Sequence, residues 1–470
     1  MSTPSIFNDV LGPVMVGPSS SHTAGTARLA LWARHLFGRQ PRKVTVTFDP
    51  GGSLAYTYQG QRSDRGFAAG FLGLSPDDER LKESPALAAA AGMTVVFRVA
   101  PLENPEHPND AAFRLEDGER VLHLRGASVG GGMFRVTNVD GVPVLFTGDR
   151  AVTLTWGGDR EAGTVPPILP VPHRAEAVPP FRSGAGLASY CRTAGLTLGQ
   201  AGLRYEMERS GWSEGETTAQ MEQILSVMER AVARGLAGGF RLVGGLVEPA
   251  AAAVEGARLS GRLLGGTPLS AAVAAAAAVM EYSNAMGVVV AAPTAGSCGV
   301  LPGVLRGVKL AGGVLERAAL VRGLFAAGAV GLIVAERATF AAEVGGCQAE
   351  CGVSSAMAAA ALVELAGGGA DLALEAAAVA LQNTLGLICD PVGCLVEVPC
   401  ITRNAMAVGN AFAVADLILG GYRQGIPVDE VVDAMAAVAR AMPSAHRCTG
   451  LGGVADTATG RRLASGLPDR

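Results

Sequence analysis

Cysteines are concentrated in one part of the chain, where several of them could serve a single site. Five of the eight lie between residues 347 and 400, in the segments GGCQAECG and CDPVGCLVEVPC. A structural zinc site normally has two tight C-x-x-C pairs, and this stretch has none. Thiolates carried by widely separated elements suit an iron–sulfur cluster seated inside a fold. Cysteines that pack as small buried hydrophobic residues explain the spacing equally well.

Hydroxyl groups and a histidine stand where a helix is predicted to begin. They are Ser19, Ser20, Ser21, His22 and Thr23. The free backbone N–H groups and the positive end of the helix dipole would favour a carboxylate or a phosphate here. Capping of the helix by one serine is the alternative, and it needs neither the other hydroxyl groups nor the histidine.

Two glycine-rich segments could let backbone N–H groups approach an anion. The segment GASVGGG includes Ser128 and Gly130, and the segment APTAGSCG includes Thr294 and Ser297. The first is better interpreted on its own as a flexible turn before a hairpin. The second is equally typical of a packing break between helices. His107 precedes a proline, and by itself it is typical of a surface histidine.

The composition excludes some classes of protein. A chain of 470 residues allows two or three domains, and a formal net charge of −4 gives no basic surface for nucleic acid. The first residues, MSTPSIFNDV, lack the pattern of a secretory signal, so we expect a cytoplasmic protein with reduced cysteines. The most apolar runs, residues 269–280 and 325–335, are shorter than the roughly 20 residues of a spanning helix. We expect them to be buried core helices.

Lysine is scarce, which bears on the cofactor. The chain has Lys43, Lys82 and Lys309, and none of them lies in a segment typical of phosphate binding. A pyridoxal-phosphate enzyme requires a lysine for its Schiff base. We therefore expect no pyridoxal phosphate.

The periodicity predicts a multidomain protein, with an N-terminal α/β domain followed by an all-α domain. Residues 1–150 form the first domain, residues 151–180 a proline-rich linker, and residues 181–470 the helical domain. The elements predicted in the first domain are a helix at residues 64–72, strands at residues 43–48, 94–99, 112–115 and 121–124, and a hairpin of residues 133–139 and 142–146 about Asp140-Gly141.

The second domain is predicted to be a set of helices with recognisable ends. Ser213 should cap one of them and Gly235 should end it. The predicted helices cover residues 198–209, 217–234, 268–286, 315–335, 353–365, 370–385, 405–419 and 428–440.

Six segments, taken together and in order, resemble the bacterial iron–sulfur L-serine dehydratases in their single-chain form, with fused beta and alpha domains. They are SSSHTAGTARL, ASVGGG, AAPTAGSCGVLPG, GGCQAECGVSSAMAAAALVEL, CDPVGCLVEVPC and TGLGGVADTATG. The resemblance implies an N-terminal α/β domain joined to a helical catalytic domain. It also implies a homodimer that converts L-serine to pyruvate and ammonia with a [4Fe–4S] cluster.

The resemblance assigns roles to individual residues. It implies that Cys347, Cys389 and Cys400 bind the cluster and leave one iron free to act as a Lewis acid on the serine hydroxyl. It also implies a substrate site between the two domains, where ligand sites often lie. The implied substrate-binding residues are Ser19, Ser20, Ser21, Thr23, Ser128, Gly130, Thr294 and Ser297.

The chain departs from the family pattern at the general base. Many relatives have a histidine in a G-H-x-T-D motif, and this chain has Gln61 in GQRSD. An amide cannot act as a base, so the predicted catalytic residues are His22 and His107. Cys351 and Cys394 are additional to the family ligands and are predicted to be buried thiols.

Two further departures concern the ligands and the regulation of the enzyme. The sequence ends SGLPDR, so we do not expect the C-terminal cysteine with which some relatives reach the cluster. Residues 147–180 are too few for the regulatory ACT domain of one subgroup.

Two other functions are compatible with the sequence. One is the same elimination with L-cysteine or L-threonine as substrate, which Gln61 could signal. The other is a non-catalytic binding protein or a membrane carrier, for which the high hydropathy is the support.

Overall fold

The computed structural model describes residues 3–154, 163–174, 177–311 and 315–467. Its N-terminal part is α/β and the rest is helical, which confirms the predicted fold class. The strands of the described residues are β1 (Val14–Val16), β2 (Lys43–Phe48), β3 (Thr94–Val99), β4 (Asp110–Glu116), β5 (Val121–Gly130), β6 (Met133–Val139), β7 (Val142–Phe146), β8 (Val152–Leu154), β9 (Gly163–Val165) and β10 (Val288–Val290).

A six-stranded sheet in the order β3-β2-β4-β5-β6-β7 forms the centre of the N-terminal part. β2 pairs with β3 in parallel and with β4 antiparallel. The predicted hairpin is confirmed, because Asp140 and Gly141 take φ values of 47° and 84° at the turn between β6 and β7.

The turn predicted within residues 126–132 is confined to Gly131 and Gly132, which connect β5 to β6. β5 continues to Gly130, and its pairing with β6 shifts register between Arg125 and Gly126 and again between Ser128 and Gly130. These β-bulges accommodate the extra residues without ending the strand. The two predicted binding residues of this segment therefore lie at the end of a strand.

The helices of the N-terminal part are α1 (Gly25–Phe37), α2 (Leu54–Thr57), α3 (Ser63–Leu72) and α4 (Ser84–Ala90). Helices α1 and α3 are packed together beside the sheet, with Trp32, Phe67 and Phe71 fully buried. Gly38 ends α1 in the left-handed conformation, with φ of 81°.

Helices make up nearly all of the second part, and each of the eight predicted helices is present. The helices are α5 (Gly184–Ala194), α6 (Leu198–Ser210), α7 (Glu214–Ala237), α8 (Ala251–Leu259), α9 (Gly266–Asn284), α10 (Val300–Lys309), α11 (Arg317–Arg337), α12 (Ala342–Gly345), α13 (Cys351–Leu365), α14 (Ala370–Gln382), α15 (Cys400–Leu419), α16 (Val428–Ala441) and α17 (Ala458–Ser465).

The prediction for the ends of α7 is half right. Ser213 and Glu216 form the capping box expected at its start. The helix does not end at Gly235, as predicted, but continues to Ala237. Gly235 packs against α9 so closely that a Cβ there would lie 2.1 Å from the backbone oxygen of Ala278. Gly235 therefore allows α7 and α9 to pack closely.

Helix α11 is longer than the apolar run seen in the sequence. It has 21 residues and, by length and composition alone, it could cross a membrane. However, 78% of its apolar window is buried inside the fold. Gly328 and Gly331 of this helix pack against Ile6 and Val10. The expectation of a buried core helix therefore agrees with its packing.

The segment predicted to be a linker has some structure of its own. β8 and β9 pair antiparallel, and Val165 packs into the core beside the sheet. Val171 is buried in the core of the helical part. Residues 155–162 and 175–176 of this segment lie outside the described residues, and the linker stays a prediction.

β1 and β10 join the two parts of the fold. They pair antiparallel, with Met15 opposite Val289. This pairing places the hydroxyl-rich turn Ser20–Ala24 beside the turn Ala295–Ser297. Ser20 Oγ accepts a hydrogen bond of 3.2 Å from the backbone N–H of Ala295. Two segments far apart in sequence are thereby held side by side.

Candidate active site

The three predicted cluster ligands lie on three different elements and meet in the interior. Cys347 lies in the single turn Cys347–Ala349, Cys400 is the first residue of α15, and Cys389 lies in an extended segment. Their exposed fractions are 2% for Cys347, 5% for Cys389 and 8% for Cys400. Burial, followed by the negative charge of the neighbouring Cys347 thiolate, raises the pKa of Cys400 well above its ordinary value.

Arg403 supplies positive charge beside these thiols. Its Nη1 donates to the carbonyl oxygen of Ile388 at 2.7 Å, and its Nη2 lies 2.8 Å from Asp390 Oδ1. A hydrogen bond from Cys351 and the nearby guanidinium of Arg403 lower the pKa of Cys347 to about 7, although burial opposes them. The thiolate is the form that binds metal, so this environment favours ligation.

Two of the predicted ligands line a narrow cavity between the two parts of the fold. Its free volume is about 20 Å³, which is room for about one water molecule. The cavity is therefore small, but thiol, carboxyl, hydroxyl and amide groups line it. Its lining residues are Ser19, Ser21, Gln61, Gly296, Ala342, Glu343, Glu350, Cys389, Pro391, Val396, Cys400 and Cys448.

Glu343 is a functional candidate that the sequence analysis missed. Its Oε1 accepts a hydrogen bond of 2.6 Å from Asn109 Nδ2, and its Oε2 accepts a longer one of 3.5 Å from Ser21 Oγ. Burial raises the pKa of Glu343 to about 7. A carboxyl group whose pKa lies near neutrality is suited to general acid–base catalysis. Its position just before the GGCQAECG segment was the available signal.

Glu350 is a second carboxyl group on the cavity wall that the sequence analysis missed. It accepts a hydrogen bond of 2.8 Å from Thr294 Oγ1, which is one of the predicted substrate-binding groups. Burial, followed by the charge of Cys347, raises the pKa of Glu350 well above its ordinary value. Glu350 therefore adds a second buried carboxyl group to the wall of the cavity.

The two predicted catalytic histidines lie behind the cavity wall. His22 Nδ1 lies 2.9 Å from Ser21 Oγ and 3.2 Å from Ser19 Oγ, and its Nε2 lies 3.3 Å from Ser53 Oγ. Burial lowers the pKa of His22 to about 3 and that of His107 to about 4. Both rings are neutral at physiological pH, and their low pKa values make them weak bases.

The remaining predicted substrate-binding residues mostly hold loops in place. Ser128 Oγ donates to the carbonyl oxygen of Met133 at 3.4 Å, and Ser297 Oγ donates to that of Ala292 at 3.2 Å. Gly130 has a φ of 99°, and a Cβ there would lie 2.8 Å from the side chain of Ala341. The described cavity wall includes none of these side chains, whereas it does include Ser19 and Ser21.

Gln61, which replaces the family histidine, lies on the cavity wall. Its Nε2 donates a hydrogen bond of 3.2 Å to Cys448 Sγ, and its backbone oxygen accepts one of 2.9 Å from Thr23 Oγ1. A hydrogen bond to Cys448, followed by burial, raises the pKa of Cys389 well above its ordinary value. Cys448 directly precedes the TGLGG segment, but the sequence analysis did not single it out.

The two additional cysteines occupy different places. Cys351 is fully buried and forms a hydrogen bond with the thiol of Cys347. Cys394 Sγ donates to the carbonyl oxygen of Thr449 at 3.5 Å, and it lines a separate, outer cavity with Tyr56. Cys351 is therefore adjacent to the predicted ligands, and Cys394 lies farther out.

The donor chemistry of the site fits an iron–sulfur cluster. Within the described ranges, no group of three His, Cys, Asp or Glu side chains is arranged to hold a metal ion. A cluster would take one thiolate for each iron, so it would not require three side chains that converge on a single ion. Buried cysteine thiols that form no disulfide and lie beside the Arg403 guanidinium are the donors that such a cluster uses.

Comparisons with known proteins agree with this arrangement. Residues 5–138 match the family described as serine dehydratase beta chain, and residues 193–455 match the serine dehydratase alpha chain. The chain is 32% identical to the "L-serine dehydratase" of Streptomyces coelicolor, over 96% of this chain and 98% of that protein. It is 31% identical to the "L-serine dehydratase 2" of Escherichia coli, over 94% of this chain and 96% of that protein.

A separate alpha chain gives a higher identity over a shorter region. The "Probable L-serine dehydratase, alpha chain" of Bacillus subtilis is 44% identical over 60% of this chain and 94% of that protein. The chain therefore belongs to the serine dehydratase family, with the beta-chain and alpha-chain regions joined in one polypeptide. The family resemblance noted from the six sequence segments is confirmed.

Proposed function

We propose that this protein is an L-serine dehydratase, which eliminates water from L-serine and releases pyruvate and ammonia. The observation that carries the proposal is the cavity between the two parts of the fold. Buried thiols, a carboxyl group with a pKa of about 7 and two serine hydroxyl groups meet there. The names of relatives matched over nearly their full length support the same reaction.

The proposed cofactor is a [4Fe–4S] cluster held by Cys347, Cys389 and Cys400. When bound through three thiolates, such a cluster supplies a Lewis-acidic iron for the hydroxyl group that leaves. Arg403 would balance part of the thiolate charge. Because the cavity has only about 20 Å³ of free volume, its lining side chains must move apart to admit the cluster and the substrate.

The substrate is proposed to bind against the hydroxyl-rich turn. Ser19 and Ser21 would donate hydrogen bonds to the carboxylate of L-serine, and the neutral ring of His22 would orient both hydroxyl groups. Ser20 and Thr23 would hold the turn through their hydrogen bonds to the neighbouring segments.

The other predicted substrate-binding groups would act from behind the wall. Thr294 would orient Glu350, which lines the cavity, through its hydrogen bond of 2.8 Å. Ser128, Gly130 and Ser297 shape the loops on which the wall rests.

Glu343 is the residue that we propose takes the Cα proton of L-serine. Near neutral pH about half of its carboxyl groups are ionised, because its pKa lies at about 7. Loss of the Cα proton and the hydroxyl group leaves aminoacrylate, which tautomerises to an imine, and water converts the imine to pyruvate and ammonia. His107 would support the base indirectly, because its Nδ1 accepts a hydrogen bond from the backbone N–H of Asn109.

The proposal also covers the location, oligomeric state and partners of the enzyme. We propose a cytoplasmic homodimer that acts on a small amino acid and has no nucleic-acid or membrane partner. Pyridoxal phosphate has no part in the proposed route.

The ligands can be tested one at a time by substitution with serine. Cys347→Ser, Cys389→Ser and Cys400→Ser should each abolish both the visible absorption of the anaerobically reconstituted protein and its activity. Cys191→Ser is the matched control. Cys191 lies on α5, does not line the cavity, and donates to the carbonyl oxygen of Thr197. A variant that keeps its full absorption removes that cysteine from the ligand set.

The substrate can be tested by comparing turnover of L-serine, L-threonine and L-cysteine. Water loss should be fastest from L-serine. Faster release of 2-oxobutanoate from L-threonine, or of sulfide from L-cysteine, would reassign the substrate within the same chemistry. A protein with a full cluster that acts on none of the three would contradict the proposed function.

A further inference from the structure

Cys448 is a third thiol on the wall of the cavity that two of the predicted ligands line. It is 5% exposed, and it lines the cavity together with Cys389 and Cys400. Its thiol is in hydrogen-bonding contact with that of Cys389. The set of sulfur donors at this site is therefore larger than the three residues that the family resemblance assigns.

The backbone of Cys448 is fixed from both parts of the fold. Its N–H donates to the carbonyl oxygen of Cys389 at 3.0 Å, and the N–H of Cys389 donates to that of His446 at 2.8 Å. Ser53 Oγ, from the N-terminal part, donates to the carbonyl oxygen of Cys448 at 3.1 Å. The residue has a φ of 57°, a left-handed conformation that residues with a Cβ rarely adopt. These constraints on the backbone fix the direction of the Cys448 side chain.

The surroundings of Cys448 differ from those of a packing cysteine. Its Sγ accepts a hydrogen bond of 3.2 Å from Gln61 Nε2, and both residues line the cavity. Cys191, by comparison, lies in a hydrophobic core and donates its S–H to a backbone oxygen. The environment of Cys448 suits a sulfur that binds iron.

We propose that Cys448 is a fourth cluster ligand in the substrate-free protein, bound to the iron that Cys347, Cys389 and Cys400 leave without a protein ligand. This inference rests on the proposed function, because it requires the cluster. Four cysteine thiolates are the usual ligand set of a [4Fe–4S] cluster. L-serine must then displace Cys448, whose sulfur would stay within reach of the Gln61 amide.

Mössbauer spectroscopy of the anaerobic wild-type protein, reconstituted with iron-57, tests the ligand directly. Four thiolate-bound irons should give similar spectra, and added L-serine should change the spectrum of one of them. One iron that already differs before L-serine is added would overturn the proposal. This measurement needs no variant and so does not depend on the folding of one.

A variant provides an independent test. Mild oxidation should leave the wild-type cluster intact, whereas Cys448→Ser should lose one iron and give the electron paramagnetic resonance signal of a [3Fe–4S] cluster. The ratio of iron to protein should fall from about four to about three in that variant alone. Cys191→Ser is the matched control and should behave like the wild type.

The outcomes separate this inference from the proposed function. If Cys448→Ser and the wild type lose iron equally, Cys448 is not a ligand, and the proposed dehydratase stands. If the wild-type protein cannot be reconstituted with any cluster, the proposed function and this inference fail together.

Discussion

The hydrogen bond between Asn109 and Glu343 allows the proposed base to be tested through its pKa. Asn109 Nδ2 donates to Glu343 Oε1 at 2.6 Å, and both residues are buried. A hydrogen bond to a charged group contributes about 1.5–3 kcal/mol, and about 1.4 kcal/mol corresponds to one pKa unit. Asn109→Ala should therefore raise the pKa of Glu343 by about one to two units above its value of about 7.

The assay is the pH dependence of kcat/KM for L-serine under anaerobic conditions. Glu343 must be ionised to accept a proton, so the rate falls as the pH drops below its pKa. A higher pKa moves this acidic limb to higher pH by the same amount. At pH 7 the variant should be about 5–50-fold slower than the wild type, and the two rates should converge at high pH.

Asn383→Ala is the matched control for this variant. The Asn383 amide donates to Asn410 Oδ1 at 2.8 Å, and neither residue lines the cavity with Glu343. The control should keep the wild-type pH profile. A loss of activity in Asn109→Ala that is the same at every pH, or an acidic limb that does not move, would refute the assignment of Glu343 as the base.

Three further predictions concern helix packing, the charge beside the thiols and the cavity wall. Gly235→Ala should lower the thermal midpoint, since overpacking costs about 1–3 kcal/mol, whereas Gly215→Ala in the same helix, with nothing within 4 Å of its Cβ, should raise it slightly. Arg403→Leu should speed the loss of visible absorption to a chelator, because the guanidinium no longer favours the thiolates. Gly130→Ala should raise KM for L-serine, since its Cβ would push against Ala341 beside the cavity wall.

Much of the fold was predictable because its elements have strong local signals. The strands predicted at residues 43–48 and 94–99 are β2 and β3 with their observed ends, and Asp140-Gly141 marked the hairpin turn. The capping box at Ser213 was predictable because its residues are close together in the sequence. Gly235 misled the prediction, because a glycine required for contact with a neighbouring helix looks the same in sequence as one that ends a helix.

The site was only partly predictable because burial and long-range pairing decide its chemistry. Cys448 reaches Cys389 through backbone hydrogen bonds between segments that are far apart in sequence. Nothing local in the sequence signals that contact. Glu343 became a candidate base only through burial, and burial likewise lowered the pKa values of the predicted bases, His22 and His107.

The proposed reaction, deamination of L-serine with an iron–sulfur cluster, requires that activity depend on the cluster. The most direct test is an anaerobic assay in which pyruvate release, iron and sulfide are measured in the same samples at several degrees of reconstitution. About four irons per chain are expected at full reconstitution, with an activity that rises in proportion to cluster content. Full activity in samples without iron, or a complete cluster with no release of pyruvate from L-serine, would contradict it.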